Sequence, residues 1–148
     1  MMQKQWLLAS RPSGAPQVDN FRLIQTQMPT LRPGTALVKT LYLGVAPVML
    51  RYMRNETVFE RPMELGDVMA GRGVAQVLQS DCPELPVGAI IQARLGWQEY
   101  ALIDNNQYPK PFILPHTDLP VSHGISTLAL SGFTALVGLR EIGKLKST

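Results

Sequence analysis

Cysteine occurs once, at Cys82, so no internal disulfide can form, and a reducing, cytoplasmic setting is expected. Asp81 and Glu84 stand close to it. Negative charge beside a thiol raises its pKa, which marks Cys82 as a bystander and not a nucleophile. Long apolar runs are missing too: nothing approaches the roughly eighteen residues of a membrane span. The first six residues, Met1 to Trp6, lack the apolar centre of a secretion signal. Neither a membrane nor a nucleic acid is an expected partner. The 14 Lys and Arg against 11 Asp and Glu leave a net charge of +3, spread without a dense stripe or interleaved aromatics. That balance fits a cytosolic protein that meets a small anionic ligand. The two histidines, His116 and His123, read as structural, since nothing suggests triad chemistry around them.

What is present describes one β-rich domain. The 148 residues are 45% apolar and 17% charged, a globular composition sufficient for a single core. Twelve Gly and twelve Pro are scattered along the chain, which implies many turns between short elements and favours strands over a helical bundle. Strands are expected over 5–9, 21–28, 35–45, 69–79, 89–95 and 97–103, the clearest being 35–45, with two alternating faces between Pro33-Gly34 and Pro47. Gly71 and Gly73 interrupt the fourth, as glycines do where backbones approach closely. A short helix is expected over 48–55, with Pro47 near its start. Pro109, Pro111 and Pro115 keep the chain extended thereafter.

From Ser122 the period turns helical. Leu128, Leu130, Phe133, Leu136, Val137 and Leu139 put apolar residues on more than one face, so the helix is buried on several sides or packs its first half against something else. Gly143 beside Lys144 marks its end. The fold class expected is mainly β: a partly open barrel with short helices and a C-terminal connecting helix.

Four segments, in order, carry a resemblance. They are Leu43-Gly44-Val45-Ala46-Pro47-Val48-Met49, Gly66-Asp67-Val68-Met69-Ala70-Gly71, Gly96-Trp97-Gln98-Glu99-Tyr100, and Ser131-Gly132-Phe133-Thr134-Ala135 with Gly138-Leu139 and Ile142-Gly143. Together they resemble the prostaglandin reductase and alkenal reductase branch of the medium-chain dehydrogenase/reductase superfamily. The resemblance implies a GroES-like domain over residues 1–130 and a connecting helix over 131–148, leading to a Rossmann domain that this sequence does not contain. No G-x-G-x-x-G is present to hold a pyrophosphate.

The resemblance also bears on metal. Zinc-containing relatives place a first Cys where this chain has Gly44-Val45-Ala46, and a Gly-His-Glu where it has Gly71-Arg72-Gly73. With one Cys in the chain, neither a catalytic nor a four-thiolate zinc site is expected. NADP(H), held mostly by the absent half, is the implied cofactor. The implied activity is hydride transfer to the conjugated double bond of an enal or enone, or to a quinone.

Site residues follow from the same resemblance. Thr134 stands where the family faces the nicotinamide and can bond its carboxamide; the alternative is a threonine that bonds back to its own helix. Leu130 stands where a residue packs against the nicotinamide ring. The family's Asp-Pro-Tyr-Met-Arg is here Ala46-Pro47-Val48-Met49-Leu50, which keeps Val48 and Met49 at the substrate pocket but loses the phenol. Tyr52, about one helical turn on, either replaces that phenol in the pocket and in catalysis or is a half-exposed helical tyrosine. Arg72, between two glycines, either reaches a carboxylate or phosphate with its fork or is simply solvated. Trp97 and Tyr100 read as core. The departures at Ala46, Val48, Leu50 and Leu136 keep a second function open, a non-catalytic binding or scaffold module. Either way the apolar last helix should lie exposed and favour a homodimer.

Overall fold

The computed structural model describes residues 1–56, 61–115 and 118–146; His116 lies outside them. Among the described residues, seven strands form two antiparallel sheets. Strands β1 (Met2–Leu8) and β2 (Phe21–Gln27) pair as a two-stranded ribbon, joined by a loop and a 3-10 turn at Val18–Asn20. Strands β3 (Thr35–Leu43), β4 (Arg72–Ser80), β5 (Ile90–Arg94), β6 (Tyr100–Asp104) and β7 (Phe112–Ile113) form the second sheet, in the order β6-β3-β4-β5-β7. The sheets do not close into a barrel. Helix α1 (Val48–Arg54) follows β3. A 3-10 turn at Val121–Ile125 precedes α2 (Leu130–Val137), which continues as a π turn through Ile142.

β3 is the centre of the larger sheet, flanked by β4 and β6. Ala36 and Val38 point into a core completed by Ala75, Val77, Ile91 and Ile103, all essentially without exposure. Small and branched side chains alternate there, as a pleated surface buried on one face requires. A second, methionine-rich cluster of Leu8, Met53, Met63 and Met69 lies under α1, with Phe21 and Trp97 stacked beside it at a ring separation of 5.7 Å. The ribbon is tied to the rest through β1. Its Trp6 N–H donates to Trp97 C=O, and Met69 N–H donates to Trp6 C=O, at 2.9 and 2.8 Å.

Where the observed elements differ from those expected, the cause is local. β4 begins at Arg72 and not at Met69, because the backbone of Met69–Gly71 bonds instead to Trp6, Trp97, Leu95 and Gly96. For the same reason Trp97 belongs to a cross-link between sheets, and β6 begins only at Tyr100. Between the prolines at 111 and 115, β7 adds a two-residue edge strand that the composition hid. The C-terminal helix is shorter than its apolar pattern, since a separate 3-10 turn occupies residues 121–125. The left-handed residue at its end is Lys144, at φ 49°, while Gly143 stays right-handed.

Gly73 shows why β4 carries glycines. A methyl group there would meet the backbone carbonyl of Tyr42, and would lie 2.9 Å from Leu95 and 3.2 Å from Leu43. Carbonyl oxygens in a ladder cannot move aside. Gly73→Ala is therefore expected to cost at least about 3 kcal/mol, whereas Gly14→Ala, with nothing within 4 Å, stays within about 0.5 kcal/mol. Urea unfolding of the two variants measures the contrast.

Cys82 is buried in the sheet core, and burial is the first cause that pushes its thiol up. The second is its hydrogen bond to Glu84 Oε2 at 3.2 Å, reinforced by that carboxylate's charge; the same bond holds the Glu84 carboxyl below its ordinary range. Glu84→Gln removes the charge but not the burial. At mildly alkaline pH the thiol should then react with iodoacetamide faster than in the native chain, yet more slowly than in the unfolded one. An unchanged rate would show that Glu84 contributes nothing to the inertness of Cys82.

Candidate functional site

A cavity of about 420 Å³ opens where four stretches of chain converge. The end of β3 supplies Gly44, Val45 and Ala46; α1 supplies Val48, Met49 and Tyr52; the start of β4 supplies Gly71 and Arg72; the C-terminal segment supplies Ile125, Ala129, Leu130 and Ser131. Gln92 and Arg94 of β5 complete the wall. A second cavity of about 390 Å³ shares Tyr52, Ala70, Gly71 and Arg94 with it, and reaches the ion pair Arg61–Asp67, whose closest atoms are 3.4 Å apart.

Each contributor is held for a separate reason. Helix α1 buries Met49 and Met53, one turn apart, which leaves Tyr52 half-buried between the methionine cluster and the cavity. Asn55, at φ 65°, ends the helix, a conformation that asparagine tolerates better than most residues. Arg11 fastens the helix from below. Its guanidinium donates to the carbonyl of Met53 at 2.9 Å and to that of Met63 at 2.8 Å, closing α1 against the following loop. Gly71 is bare because the indole of Trp97 lies where its side chain would be: a Cβ would sit 2.8 Å from that ring. The indole Nε1 is buried there and, among the described residues, makes no hydrogen bond.

The far wall is set by Gly124. A methyl there would press to 2.5 Å of both Leu114 and Val74, so only glycine lets the 3-10 turn lie flat on the sheet. Gln92 Nε2 donates to the Gly124 carbonyl and fixes the turn to β5. That docking carries Leu130 and Ser131 to the cavity rim opposite α1.

Of the residues singled out from the sequence, the fold brings Val48, Met49, Tyr52, Arg72 and Leu130 onto this one cavity. Thr134 does not line it. Its hydroxyl donates to the Leu130 carbonyl at 2.8 Å, the back-bonded arrangement weighed against a cofactor contact. Trp97 packs in the core on Phe21. His123 bonds Thr127 Oγ1 through Nδ1 at 2.6 Å, within its own turn. The sequence reading did not anticipate Arg94, Gln92 or Arg11. The first two were open to it, because β4 and β5 pair in register with Arg94 directly opposite Arg72 and Gln92 opposite Val74. Arg11 carries no local signal at all, since its partners lie 42 and 52 residues away.

The arrangement can hold a flat, largely apolar molecule and offer it a phenol and two guanidinium groups. Among the described residues, no cluster of His, Cys, Asp or Glu could hold a metal ion. Nor, among them, is any helix long and apolar enough to cross a membrane.

Residues 4–110 match the family described as the N-terminal domain of oxidoreductase. The NADPH-dependent curcumin reductase of Escherichia coli (strain K12) is 36% identical over 143 residues, which cover 97% of this chain and 41% of that protein. Prostaglandin reductase 1 of Rattus norvegicus is 37% identical over 144 residues, again 97% of this chain and 41% of the relative. Among solved structures, CurA from Vibrio vulnificus superposes with a TM-score of 0.83 at 37% identity, over 98% of this chain and 42% of that one. Its complex with NADPH superposes with a TM-score of 0.82. The chain thus spans about two fifths of the length of the curated relatives it matches, 41% in both cases above.

Proposed function

The chain belongs to the oxidoreductase N-terminal-domain family, in the medium-chain dehydrogenase/reductase branch of the curcumin, prostaglandin and alkenal reductases, and from that membership we propose that it is the substrate-side domain of an NADP(H)-dependent reductase of conjugated carbonyl compounds. The observation that carries the proposal is the single cavity on which Val48, Met49, Tyr52, Arg72 and Leu130 meet. The division of labour follows the fold: residues 1–130 enclose the substrate, and the helix from 131 onward leads toward the nucleotide-binding half.

The residues present fit one end of the cofactor. Ala129, Leu130 and Ser131 on one rim, with Gly44 to Ala46 on the other, leave a slot lined by small and apolar groups that suits a nicotinamide ring. For the phosphates the sequence has no glycine-rich loop. NADP(H), when bound, supplies the hydride for the β-carbon of the enone. This chain's own residues would seat and polarise the substrate, and a solvent proton would complete the α-carbon once the hydride has arrived. Val48 and Met49 give the carbon–carbon double bond an apolar seat and exclude water. Tyr52 donates its phenol hydrogen toward the carbonyl oxygen, where negative charge grows as the hydride arrives. Leu130 bears on the ring face. Thr134 lies off this cavity with its hydroxyl bonded back to the Leu130 carbonyl, so the carboxamide is not assigned to it. No step needs a metal ion.

The test joins this chain to the nucleotide-binding half of the Escherichia coli curcumin reductase and follows NADPH oxidation. Turnover with an enal, enone or quinone is expected, unaffected by chelators, and Tyr52→Phe should lower kcat roughly a hundredfold. The 148-residue chain alone should neither bind NADPH tightly nor oxidise it. Absence of turnover with all three substrate types would refute the proposal and favour a binding module, the function suggested by the altered residues Ala46, Val48, Leu50 and Leu136.

Self-association is part of the same proposal. Leu130 is 72% exposed, Phe133 59% and Ile142 78%, an apolar helix with no buried residue. Patches of this kind seek cover. Sedimentation velocity should show a dimer that grows with concentration and is abolished by Phe133→Ser with Leu136→Ser. A monomer at every concentration contradicts it.

A further inference from the structure

Helix α1 is seven residues long, too short to hold a direction of its own in water, so its placement is set by what it touches. Much of what lies beneath it is methionine, an unbranched side chain that fills space without fixing one arrangement. The directional contacts come from the loop after β1. Arg11 donates from Nη1 to the Met53 carbonyl at 2.9 Å and from Nη2 to the Met63 carbonyl at 2.8 Å. The Met53 carbonyl is one of the four at the end of a helix that have no partner within it. Met63 N–H donates in turn to the Tyr52 carbonyl at 3.3 Å. Helix, Met63 and guanidinium thus close a ring that passes through the backbone of Tyr52 and Met53. A second tie runs the other way, from Arg54 Nη2 to the Gly14 carbonyl. The loop is itself anchored: Ala9 N–H donates to the Asn20 carbonyl at 2.8 Å, and the buried Asn20 donates from Nδ2 to Ser10 Oγ at 2.9 Å.

We infer that Arg11 is a positioning residue, which sets the Tyr52 phenol at the junction of the two cavities and thereby the rate of the proposed reaction. Tyr52 borders both cavities, whereas Arg11 borders neither, so its effect passes through the helix. The role of the phenol is taken from the reductase reading; the hold of Arg11 on Tyr52 stands apart from it. A working donor has to be held within about 0.5 Å of its place, and a displacement of about 1 Å can cost a hundredfold in rate. A planar guanidinium, with donors at fixed angles, keeps two carbonyls in one relative position, which the rotating donors of an ammonium do not. Glu64 adds little to this. Its Oε2 lies 3.8 Å from Arg11 Nη2 and its side chain is 67% exposed, where solvent screening leaves an ion pair almost without effect.

The test labels the chain with 3-fluorotyrosine and reads its fluorine resonances. The chain has four tyrosines, and Tyr52→Phe assigns the signal of interest. Arg11→Met should shift or broaden that signal and leave the other three in place, with a cooperative thermal transition as the check on folding. Arg11→Lys should move it less, and carries the comparison if Arg11→Met does not fold. Glu64→Gln should move nothing. In the joined enzyme, Arg11→Met should lower kcat roughly tenfold at unchanged KM for the enone, and should have no further effect once Tyr52 is replaced by Phe. A residue that only stabilised the fold would act equally in both backgrounds. An unmoved Tyr52 signal in a folded variant, or losses in kcat that simply multiply in the double variant, overturns the inference. A moved signal in a joined enzyme that turns over no enone upholds the hold of Arg11 on Tyr52 and strikes the reductase proposal alone.

Discussion

The close pairing of β3 with β4 is the constraint on which the remaining structure depends. At Gly73 the two backbones approach until a methyl group would strike the Tyr42 carbonyl, and the register slips between Thr40 and Tyr42 just before that point. Past the slip the ladder resumes, with Tyr42 opposite Val74 and Leu43 opposite Gly73. Residues 44–47 then leave as a loop and α1 begins beside the start of β4 instead of beyond it. Gly44 is held there by its N–H bond to the Arg72 carbonyl at 2.9 Å. Helix and strand start become two walls of one cavity. Without the close approach they would be separate surface features.

Two further backbone devices finish the enclosure, and both use glycine as space rather than as flexibility. Gly71 lets the Trp97 indole slide under the wall, and Gly124 lets the 3-10 turn settle on Val74 and Leu114. The core beneath is divided accordingly. Branched and small side chains fill the larger sheet, where the pleat fixes their spacing. Methionines fill the irregular gap under α1, where helix, loop and ribbon meet without common geometry. Arg11 bonds carbonyls on both sides of that gap, so the soft cluster carries a polar clamp at its edge.

This division explains what could be read from the sequence. The strands of the larger sheet were legible because alternation and bounding turns are local properties, and 35–45 is the clearest case. The ends of β4 and β6 were not, since the backbone bonds of Met69 and Trp97 go to a ribbon far away in sequence. Half of the candidate site was legible through resemblance: Val48, Met49 and Leu130 occupy recognisable landmarks. Tyr52 was legible through helical spacing alone. Arg94 required the hairpin register, which a reader can count outward from Pro86-Val87-Gly88 only after deciding that the two strands pair. Arg11 was beyond reach, because a guanidinium that bonds backbone carbonyls leaves no trace in the identity of its partners.

The cavity therefore joins two kinds of wall with different chemical freedom. The side formed by α1 and Leu130 is apolar, and α1 is packed through Met49 and Met53, so its residues answer to volume. The side formed by Arg72 and Arg94 stands at strand ends, where the ladder fixes the backbone. A change at Met49 or Tyr52 must be accommodated by the methionine cluster. A change at Arg72 or Arg94 alters the charge of the pocket. The apolar wall is thus the part of the cavity whose shape is tied to the core, because Met49 is buried and Tyr52 packs on the methionine cluster.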